Sequence, residues 1–320
     1  MTCFFESAER SLTTYTDRNG AIGSKGACAI AGALKVNAVL TSLDISWNHI
    51  GAEGAKAFAE ALNSGKVAAL TTLELAECNL TNYGTDMTGI TALAEALQVN
   101  AVLTHLDLGG NVLCATNELS GKGTHDASGI TALAEALRVN AVLKKLVLSP
   151  RSEYRGFDRT NGIGPELGKA LAVALQSISS CALEALDLQR NDIGSEAAKH
   201  LAEWLKVNTV LTTLSLELNK IDKEGGVAIA EALKSGTSVL TDLNLAGNEL
   251  CGLCQHTFSG PGQGTYDASG IIAIAEALKS GMSVLTALDL SGNRLDADAG
   301  KALREAVKGR ENFRLAIAEF

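Results

Sequence analysis

One cluster of residues in the sequence has the composition of a metal or redox site. Cys251, Cys254 and His256 lie within six residues of one another. Two thiols and an imidazole at this spacing can bind zinc or cycle between a dithiol and a disulfide. A structural zinc ion needs a fourth protein ligand, and no second cysteine and histidine cluster lies nearby in the sequence. We therefore treat these residues as weak metal candidates and predict reduced thiols, with no metal and no cofactor.

Other motifs that carry chemistry are missing from the sequence. No Gly-x-x-x-x-Gly-Lys-Ser/Thr phosphate loop occurs, and the glycine-rich stretch 260–264 lacks the dinucleotide-binding spacing. Asp296 and Asp298 resemble the start of a calcium loop, but Val307 stands where the last glutamate ligand should be. The sequence therefore predicts no catalytic residues and a protein that is not an enzyme.

Composition and charge favour a protein partner over nucleic acid or membrane. The net charge is -9 and no long run of lysine or arginine occurs, so we predict no nucleic-acid binding and a partner with a basic surface. The cysteine count is 7, an odd number that favours a reducing compartment. No signal peptide is recognised, and no apolar run approaches the roughly 18 residues of a membrane span. We predict a cytoplasmic monomer without membrane contact.

A Leu-x-x-Leu-x-Leu motif recurs along the chain. Two good copies run from Leu40 to Gly51 and from Leu183 to Gly194, and the shortest repeat is 28 to 29 residues long. Copies begin at Leu12 (degenerate), Leu40, Leu70, Leu103, Leu143, Leu183, Leu211, Leu240 and Leu285. This number exceeds the roughly three repeats that a stable array needs.

Each copy contains two hydrophobic periods. The Leu-x-Leu core, such as Leu43 and Ile45, alternates with period two and predicts a short strand with one polar face. The following stretch, such as Gly54–Leu62, has the 3.6-residue period of an amphipathic helix. A strand and a helix in constant order predict parallel strands with right-handed crossovers. The predicted fold class is α/β, a right-handed solenoid or horseshoe with a parallel sheet on its concave face and helices on its convex face.

An asparagine follows most of the predicted strands at the same position. Buried asparagine there can satisfy backbone groups of its own turn and of the adjacent repeat, so we predict a structural asparagine ladder. Cys78 replaces the asparagine once. The ladder residues are Asn48, Asn111, Asn191, Asn219, Asn248 and Asn293.

The full repeat resembles the ribonuclease-inhibitor-like class of leucine-rich repeats. It reads Leu-x-x-Leu-x-Leu-x-x-Asn-x-Ile-Gly-x-x-Gly-x-x-x-Leu/Phe-Ala-Glu-Ala-Leu and covers nearly the whole chain. The class includes ribonuclease inhibitor, the Ran GTPase-activating protein and sensor regions of NOD-like receptors. The resemblance implies the horseshoe fold, but it does not identify a partner because the class binds many unrelated proteins.

The repeats predict one domain over residues 1–320, with atypical ends and four insertions. Residues 1–39 form a degenerate N-terminal repeat or cap, residues 40–309 hold the repeats, and residues 310–320 form a C-terminal cap. Insertions near 81–88, 114–127, 149–160 and 251–268 fall on one rim, which is often the binding side of such arrays. Thr88, Ser128 and Ser269 precede the following helices and are predicted to cap them.

The polar side of the predicted strands provides the candidate binding site. Strand spacing of about 4.8 Å places acidic residues of consecutive repeats side by side, a row that is either simply solvated or kept for a cationic partner. An exposed tryptophan next to carboxylates is a plausible protein contact, whereas Trp204 is predicted to lie in the core. The candidate partner-binding residues are Asp44, Trp47, Glu74, Glu77, His105, Asp107, Lys145, Tyr154 and Phe157.

The predicted function is a protein-interaction scaffold that binds through its concave face and insertion rim. One alternative is a GTPase-activating protein like the Ran activator, although the mixed C-terminal residues 310–320 differ from the acidic tail typical of that protein. The other is a sensor or effector fragment in host–microbe recognition, which would use the same surface.

Overall fold

The structure is a computed structural model that describes residues 11–13, 22–114, 126–150, 164–176, 182–253, 265–281 and 283–318. The chain forms two compact units. Unit 1 comprises Met1–Gly162 with Ser180–Ala182, and unit 2 comprises Ile163–Ser179 with Leu183–Phe320. The single domain expected from the repeats over residues 1–320 stays a prediction.

Unit 1 alternates strands and helices. Its elements are β1 (Ser11–Thr13), α1 (Gly23–Leu34), β2 (Ser42–Asp44), α2 (Gly51–Asn63), β3 (Thr72–Glu74), α3 (Thr88–Val99), β4 (His105–Asp107), α4 (Ser128–Val139) and β5 (Lys145–Val147). Strands β1 to β5 pair in sequence order, and every pair is parallel. The central leucines of neighbouring strands are partners, for example Leu43 with Leu73.

Unit 2 follows the same pattern. Its elements are α5 (Gly164–Gln176), β6 (Ala185–Asp187), α6 (Gly194–Leu205), β7 (Thr213–Ser215), α7 (Lys223–Lys234), β8 (Asp242–Asn244), α8 (Ser269–Lys279), β9 (Ala287–Asp289), α9 (Ala297–Val307) and β10 (Arg314–Ala316). Strands β6 to β10 are also parallel and pair in order. The predicted α/β repeat solenoid, with parallel strands joined by helices, is confirmed within each unit.

The core forms because each strand and each helix buries one apolar side against its neighbours. Leu43 and Ile45 of the β2 repeat are fully buried, and so is Phe58 of the following helix α2. Small alanines between the larger side chains allow the helices of successive repeats to pack closely. Trp204 of α6, predicted to lie in the core, is 1% exposed.

Three helices that follow insertions are capped differently from the prediction. Thr88, Ser128 and Ser269 are the first helical residues rather than the caps. Their backbone amides instead donate to the carboxylates two residues earlier, Asp86, Asp126 and Asp267, at 2.9 to 3.0 Å. The prediction of serine and threonine caps was wrong, because a carboxylate that is already in reach of the first free amides also suits the positive end of the helix dipole.

The fifth repeat, which contains β5, departs from the pattern of its neighbours. In seven other repeats, the third residue after the strand has a left-handed φ of 54 to 70°. These residues are Trp47, Glu77, Gly110, Arg190, Leu218, Gly247 and Gly292. Pro150 occupies this position in the fifth repeat, and proline cannot adopt a positive φ. The turn after β5 therefore cannot have the conformation that the other repeats share.

Within the part of the chain that the structure describes, no helix combines the length and apolar character needed to cross a membrane.

Candidate functional site

The side chains that alternate with the buried leucines form what we call the polar face of each sheet. In unit 1, Asp44, Glu74 and Asp107 are register partners on the adjacent strands β2, β3 and β4. The residues on the other side of the central leucines form a parallel row, in which Thr72, His105 and Lys145 are neighbours. The candidate residues of these strands thus belong to two adjacent rows of one surface.

The acidic residues at the strand ends also have a structural role. The Oδ1 atom of Asp44 accepts a hydrogen bond from the Ser46 amide at 2.9 Å. In other repeats the amide two residues later donates in the same way, at 2.8 to 3.1 Å, to the side-chain oxygens of Asp107, Asp187, Asn244 and Asp289. Because Asn244 makes it with an amide oxygen, the bond requires an oxygen at this position but no charge.

Two of the candidate carboxylates are buried. Glu77 is 2% exposed and Asp107 is 6% exposed, whereas Asp44 and Glu74 are half-buried. In the second row, His105 and Lys145 are exposed. The exposure predicted for Glu77 and Asp107 was therefore too high. Alternation along a strand predicts the face on which a side chain lies, but not what covers that face.

The position of Glu77 depends on a glycine in the next repeat. A Cβ atom at Gly110 would lie 2.1 Å from Glu77 Oε1, so the carboxylate occupies the space that a side chain at residue 110 would fill. Substituting Gly110 would therefore displace the Glu77 carboxylate. Gly110 also has a φ of +65°, which a larger residue adopts only with strain.

Trp47 follows strand β2, is half-buried and has a φ of +67°. Its equivalents in six other repeats, glycines among them, have the same left-handed conformation, so the turn rather than the tryptophan imposes it. A large aromatic residue held in this way keeps part of its ring available to a partner at little entropic cost.

The rim of unit 1 carries an exposed tyrosine. Tyr83 is 61% exposed and lies in the loop before α3. Its backbone amide donates to Asn79 Oδ1 at 2.6 Å, and the Gly84 amide donates to Thr81 Oγ1 at 2.9 Å, so local side chains order the loop. Tyr154 and Phe157, also predicted for this rim, lie outside the described residues.

The metal candidate is only partly described, since Cys254 and His256 lie outside the described residues. Cys251 is fully buried, and burial raises the pKa of its thiol to about 11. Such a thiol is a poor nucleophile and a poor metal ligand near neutral pH. Among the residues placed in the structure, no group of three or more His, Cys, Asp or Glu is arranged to hold a metal ion.

Five of the six asparagines that follow the strands bond backbone groups of a neighbouring repeat, and Asn191 bonds the Leu188 and Gln189 carbonyls of its own repeat. Asn219 shows the pattern: its Oδ1 accepts from the backbone amides of Asn191 and Ile193, at 3.0 and 3.3 Å, and its Nδ2 donates to the Leu188 carbonyl at 2.9 Å. All six residues of the set are 0 to 1% exposed: Asn48, Asn111, Asn191, Asn219, Asn248 and Asn293.

Cys78 replaces one asparagine of this set and makes its donor hydrogen bond to the preceding repeat. Its thiol donates to the Ile45 carbonyl at 3.1 Å, the position at which Asn111 donates to Leu75 one repeat later. Burial is the main reason that the pKa of the Cys78 thiol is raised to about 12. The side chain is therefore a neutral structural donor in the folded protein.

Two further sets of inter-repeat bonds were missed by the sequence analysis. Threonines after the first leucine of the motif donate to the carbonyl of the equivalent residue one repeat earlier, as Thr71 does to Thr41 at 3.1 Å. Asparagines at the end of several helices accept from the amides two and three residues later, as Asn100 does from Val102 and Leu103. The recurring Leu-Thr and Val-Asn-x-Val-Leu patterns were visible in the sequence and could have indicated both.

Comparisons with known proteins agree with these repeats. A family model described as Leucine Rich repeat matches residues 36–59, 179–202, 207–230 and 281–303. Over 108 residues the chain is 36% identical to human NACHT, LRR and PYD domains-containing protein 13, a match that covers 34% of this chain and 9% of that protein. The chain therefore matches only a small part of this relative.

Solved structures similar to this chain include two proteins at 19% sequence identity. One is the leucine-rich repeat-containing protein LegL7 from Legionella pneumophila, with a TM-score of 0.44 and coverage of 97% of this chain and 90% of that chain. The other is leiomodin-1 actin-binding site 2, with a TM-score of 0.35 and coverage of 67% and 84%.

The four matched segments are copies of one repeat. In both unit 1 and unit 2, each matched repeat has a Leu-x-Leu strand, then a turn with a buried asparagine, then an Ala-rich helix. This is the order of elements and the repeat length that the ribonuclease-inhibitor-like resemblance implies. The chain contains leucine-rich repeats in both units, and these repeats resemble those of the ribonuclease-inhibitor-like class.

Proposed function

We propose that this chain binds a protein partner with a basic surface through the polar face of unit 1 and the adjoining rim. Leucine-rich repeats are protein-interaction modules whose sheet presents a continuous surface. The observation that carries the proposal is the pair of half-buried carboxylates, Asp44 and Glu74, in register on adjacent strands, with Trp47 in the turn that follows the first of them.

Charge and geometry both support a basic partner. Like charges on neighbouring strands destabilise a sheet unless solvent or a cation compensates them. An arginine or lysine of a partner would provide that compensation, and Trp47 would supply an aromatic surface for its aliphatic part. Tyr83 at the rim extends the same contact area. Asp107 lies in the same row as Glu74, and Glu77 follows the same strand as Glu74, but both Asp107 and Glu77 are buried.

The test removes charge without removing structure. In the double variant Asp44→Asn, Glu74→Gln, the amide oxygen introduced at position 44 keeps the bond to the Ser46 amide, as Asn244 makes the equivalent bond in unit 2. Asp187→Asn is the matched control, since Asp187 also makes this bond in unit 2 and carries the same charge. Each protein is used to capture partners from a lysate of the source cells, and the affinity of the captured partner is then measured at low and high salt.

We expect wild type and Asp187→Asn to hold the same partner. The double variant should bind it about tenfold more weakly, with a smaller dependence on salt, because two charged contacts are lost. Equal affinity of all three proteins would contradict the assignment of the site. If the partner is a small GTPase, single-turnover GTP hydrolysis with and without this chain tests the GTPase-activating alternative.

A further inference from the structure

Unit 2 contains a shallow groove on its polar face, separate from the surface proposed above. It encloses about 330 Å³ across strands β8, β9 and β10. It is lined by Asp242 and Asn244 from β8, Ala287, Leu288 and Asp289 from β9, and Arg314, Leu315 and Ala316 from β10. The volume is at the lower end of the range of ligand sites, about 300–1,000 Å³, and suits one long side chain.

Two alanines create the depression. In one row of the polar face, Ala287 is the register partner of both Asp242 and Arg314, so a methyl group lies between two long polar side chains. In the other row, Ala316 lies next to Asp289. The methyl groups give the groove an apolar floor, while the neighbouring side chains form its walls.

The walls carry a net negative charge. The lining contains two carboxylates and one guanidinium, and Arg314 lies 3.2 Å from Asp242 Oδ2 in a pair whose side chains are 77% and 42% exposed. Because an ion pair this exposed contributes little stability, it does not hold the Arg314 side chain firmly across the groove. Arg314 therefore borders the groove and leaves it open. Asn244 in addition binds the carboxylate of Glu217, which brings a further negative charge to this edge.

The Asp289 carboxylate is oriented for a further contact. Its Oδ1 accepts from both the backbone amide and the hydroxyl of Ser291, at 2.8 and 2.7 Å, which fixes the position of the whole group. A carboxylate offers about four acceptor sites, so a fixed Asp289 retains the capacity for a planar, two-pronged donor. The guanidinium of arginine has this geometry, and its methylene groups fit an apolar floor.

We propose that this groove binds an arginine side chain of a protein partner, with the aliphatic part over Ala287 and Ala316 and the guanidinium on Asp289. The groove is a second contact surface and does not depend on the function proposed for unit 1.

The experiment uses the full chain with ¹³C-labelled alanine methyl groups and three capped peptides. Acetyl-Gly-Arg-Gly-amide is the ligand probe, acetyl-Gly-Lys-Gly-amide tests charge without the planar head, and acetyl-Gly-Gln-Gly-amide is the neutral comparison. Asp289→Asn removes the charge but keeps an oxygen for Ser291, as Asn244 does for Ala246. Ala316→Leu fills the groove without changing charge, and Asp187→Asn removes an equivalent strand-end charge from β6.

We expect the arginine peptide to shift the methyl signals of Ala287 and Ala316 in a saturable manner, more strongly than the other two peptides. Asp289→Asn and Ala316→Leu should weaken this binding about tenfold, and Asp187→Asn should leave it unchanged. Three results would overturn the proposal: no saturable shift of these methyl groups, binding that Ala316→Leu leaves intact, or equal binding of the lysine peptide. Unchanged alanine signals outside the groove in each variant report that the fold is intact.

Discussion

Asn219 connects neighbouring turns because its buried side-chain amide bonds backbone groups of two repeats. The side chain accepts from two amides of the preceding repeat and donates to a carbonyl of that repeat. All these backbone groups are buried, so none can form a hydrogen bond with water when the side-chain amide is removed. At the residue scale, the stability of the array therefore depends on polar groups as well as on leucines.

We predict that Asn219→Ala lowers the free energy of unfolding by about 3 kcal/mol, because it leaves buried amides without an acceptor. Urea unfolding monitored by circular dichroism measures the change. Asn63→Ala is the control, since Asn63 is exposed at the end of α2. A similar decrease in the free energy of unfolding in both variants would show that the inter-repeat bonds of Asn219 do not contribute to stability.

Cys78→Asn should stabilise the protein by about 1 kcal/mol at neutral pH. Asparagine can keep the bond to the Ile45 carbonyl and add an acceptor for amides of the preceding turn, as Asn111 does for Cys78 and Leu80. Urea unfolding of both proteins at neutral pH is the measurement. A less stable variant would show that the site cannot accommodate the amide.

The buried thiol of Cys78 should also make the protein less stable at alkaline pH. The folded thiol has its pKa raised to about 12 by burial, from an ordinary value of 9.0. The stabilisation from a raised pKa is complete below the unfolded value and is lost as pH rises through the folded value. We expect the free energy of unfolding to fall between pH 9.0 and about 12, and to fall less in Cys78→Asn. An identical decline in both proteins would exclude Cys78 as a cause.

At the scale of elements, a glycine in the first turn of α3 determines how closely α2 and α3 approach. A Cβ atom at Gly89 of α3 would lie 2.8 Å from the Ala52 Cα and 2.9 Å from the Ala52 carbonyl oxygen of α2. These are backbone atoms, which cannot rotate away as the end of a side chain can. The glycine is thus required by the neighbouring helix and not by its own backbone conformation.

Gly89→Ala should therefore lower the free energy of unfolding by about 2 kcal/mol, because α2 and α3 must move apart. Gly32→Ala in α1 is the matched control, since a Cβ there meets nothing within 4 Å. That variant should raise stability by about 0.5–1 kcal/mol through the better helix propensity of alanine. Thermal unfolding of both variants measures the contrast, and equal effects would contradict the packing argument.

Asp267 links two elements of unit 2 and makes that link sensitive to acid. It accepts from the Ser269 amide at the start of α8 and pairs with Lys223 of α7 at 2.5 Å. The hydrogen bond from Lys223 is the main reason that the pKa of Asp267 is lowered to about 2 from an ordinary 3.8. A lowered pKa contributes stability above the unfolded value, and this stability is lost as pH falls through the folded value.

We expect Asp267→Asn to reduce the loss of stability of unit 2 between pH 3.8 and about 2, because one proton-linked group is removed. Chemical denaturation across this interval is the measurement, made in a Trp47→Phe background so that the fluorescence comes from Trp204 of unit 2. Asp298→Asn, which removes an exposed carboxylate from the first turn of α9, is the control. The argument fails if both variants retain the acid sensitivity of wild type.

At the scale of the whole molecule, the fifth repeat departs from the side-chain pattern that most of the other repeats share. Lys144 replaces the threonine of the Leu-Thr pattern, Val147 replaces the strand-end carboxylate, and Pro150 excludes the common turn. Repeat proteins unfold cooperatively only when neighbouring repeats stabilise each other. The fifth repeat is therefore the place where cooperativity should be weakest.

We predict that the two units unfold in separate transitions. Each unit contains one tryptophan, Trp47 in unit 1 and Trp204 in unit 2, so Trp204→Phe and Trp47→Phe give proteins that report on one unit each. Urea unfolding followed by fluorescence should show different midpoints in the two variants. Coincident midpoints, matched by circular dichroism, would instead support the single domain over residues 1–320.

The sequence by itself determined the repeat architecture, because a side-chain period of two followed by one of 3.6 is a local property that recurs with every copy. It also determined which residues are neighbours across strands, since Asp44, Glu74 and Asp107 occupy the same position of a repeat that pairs in register. The tertiary structure alone decided exposure. Whether Glu77 is buried depends on the space over Gly110 one repeat away, and the groove on unit 2 exists because two alanines on different strands are flanked by longer side chains. Such features arise from non-local packing, which the pattern of a single repeat does not contain.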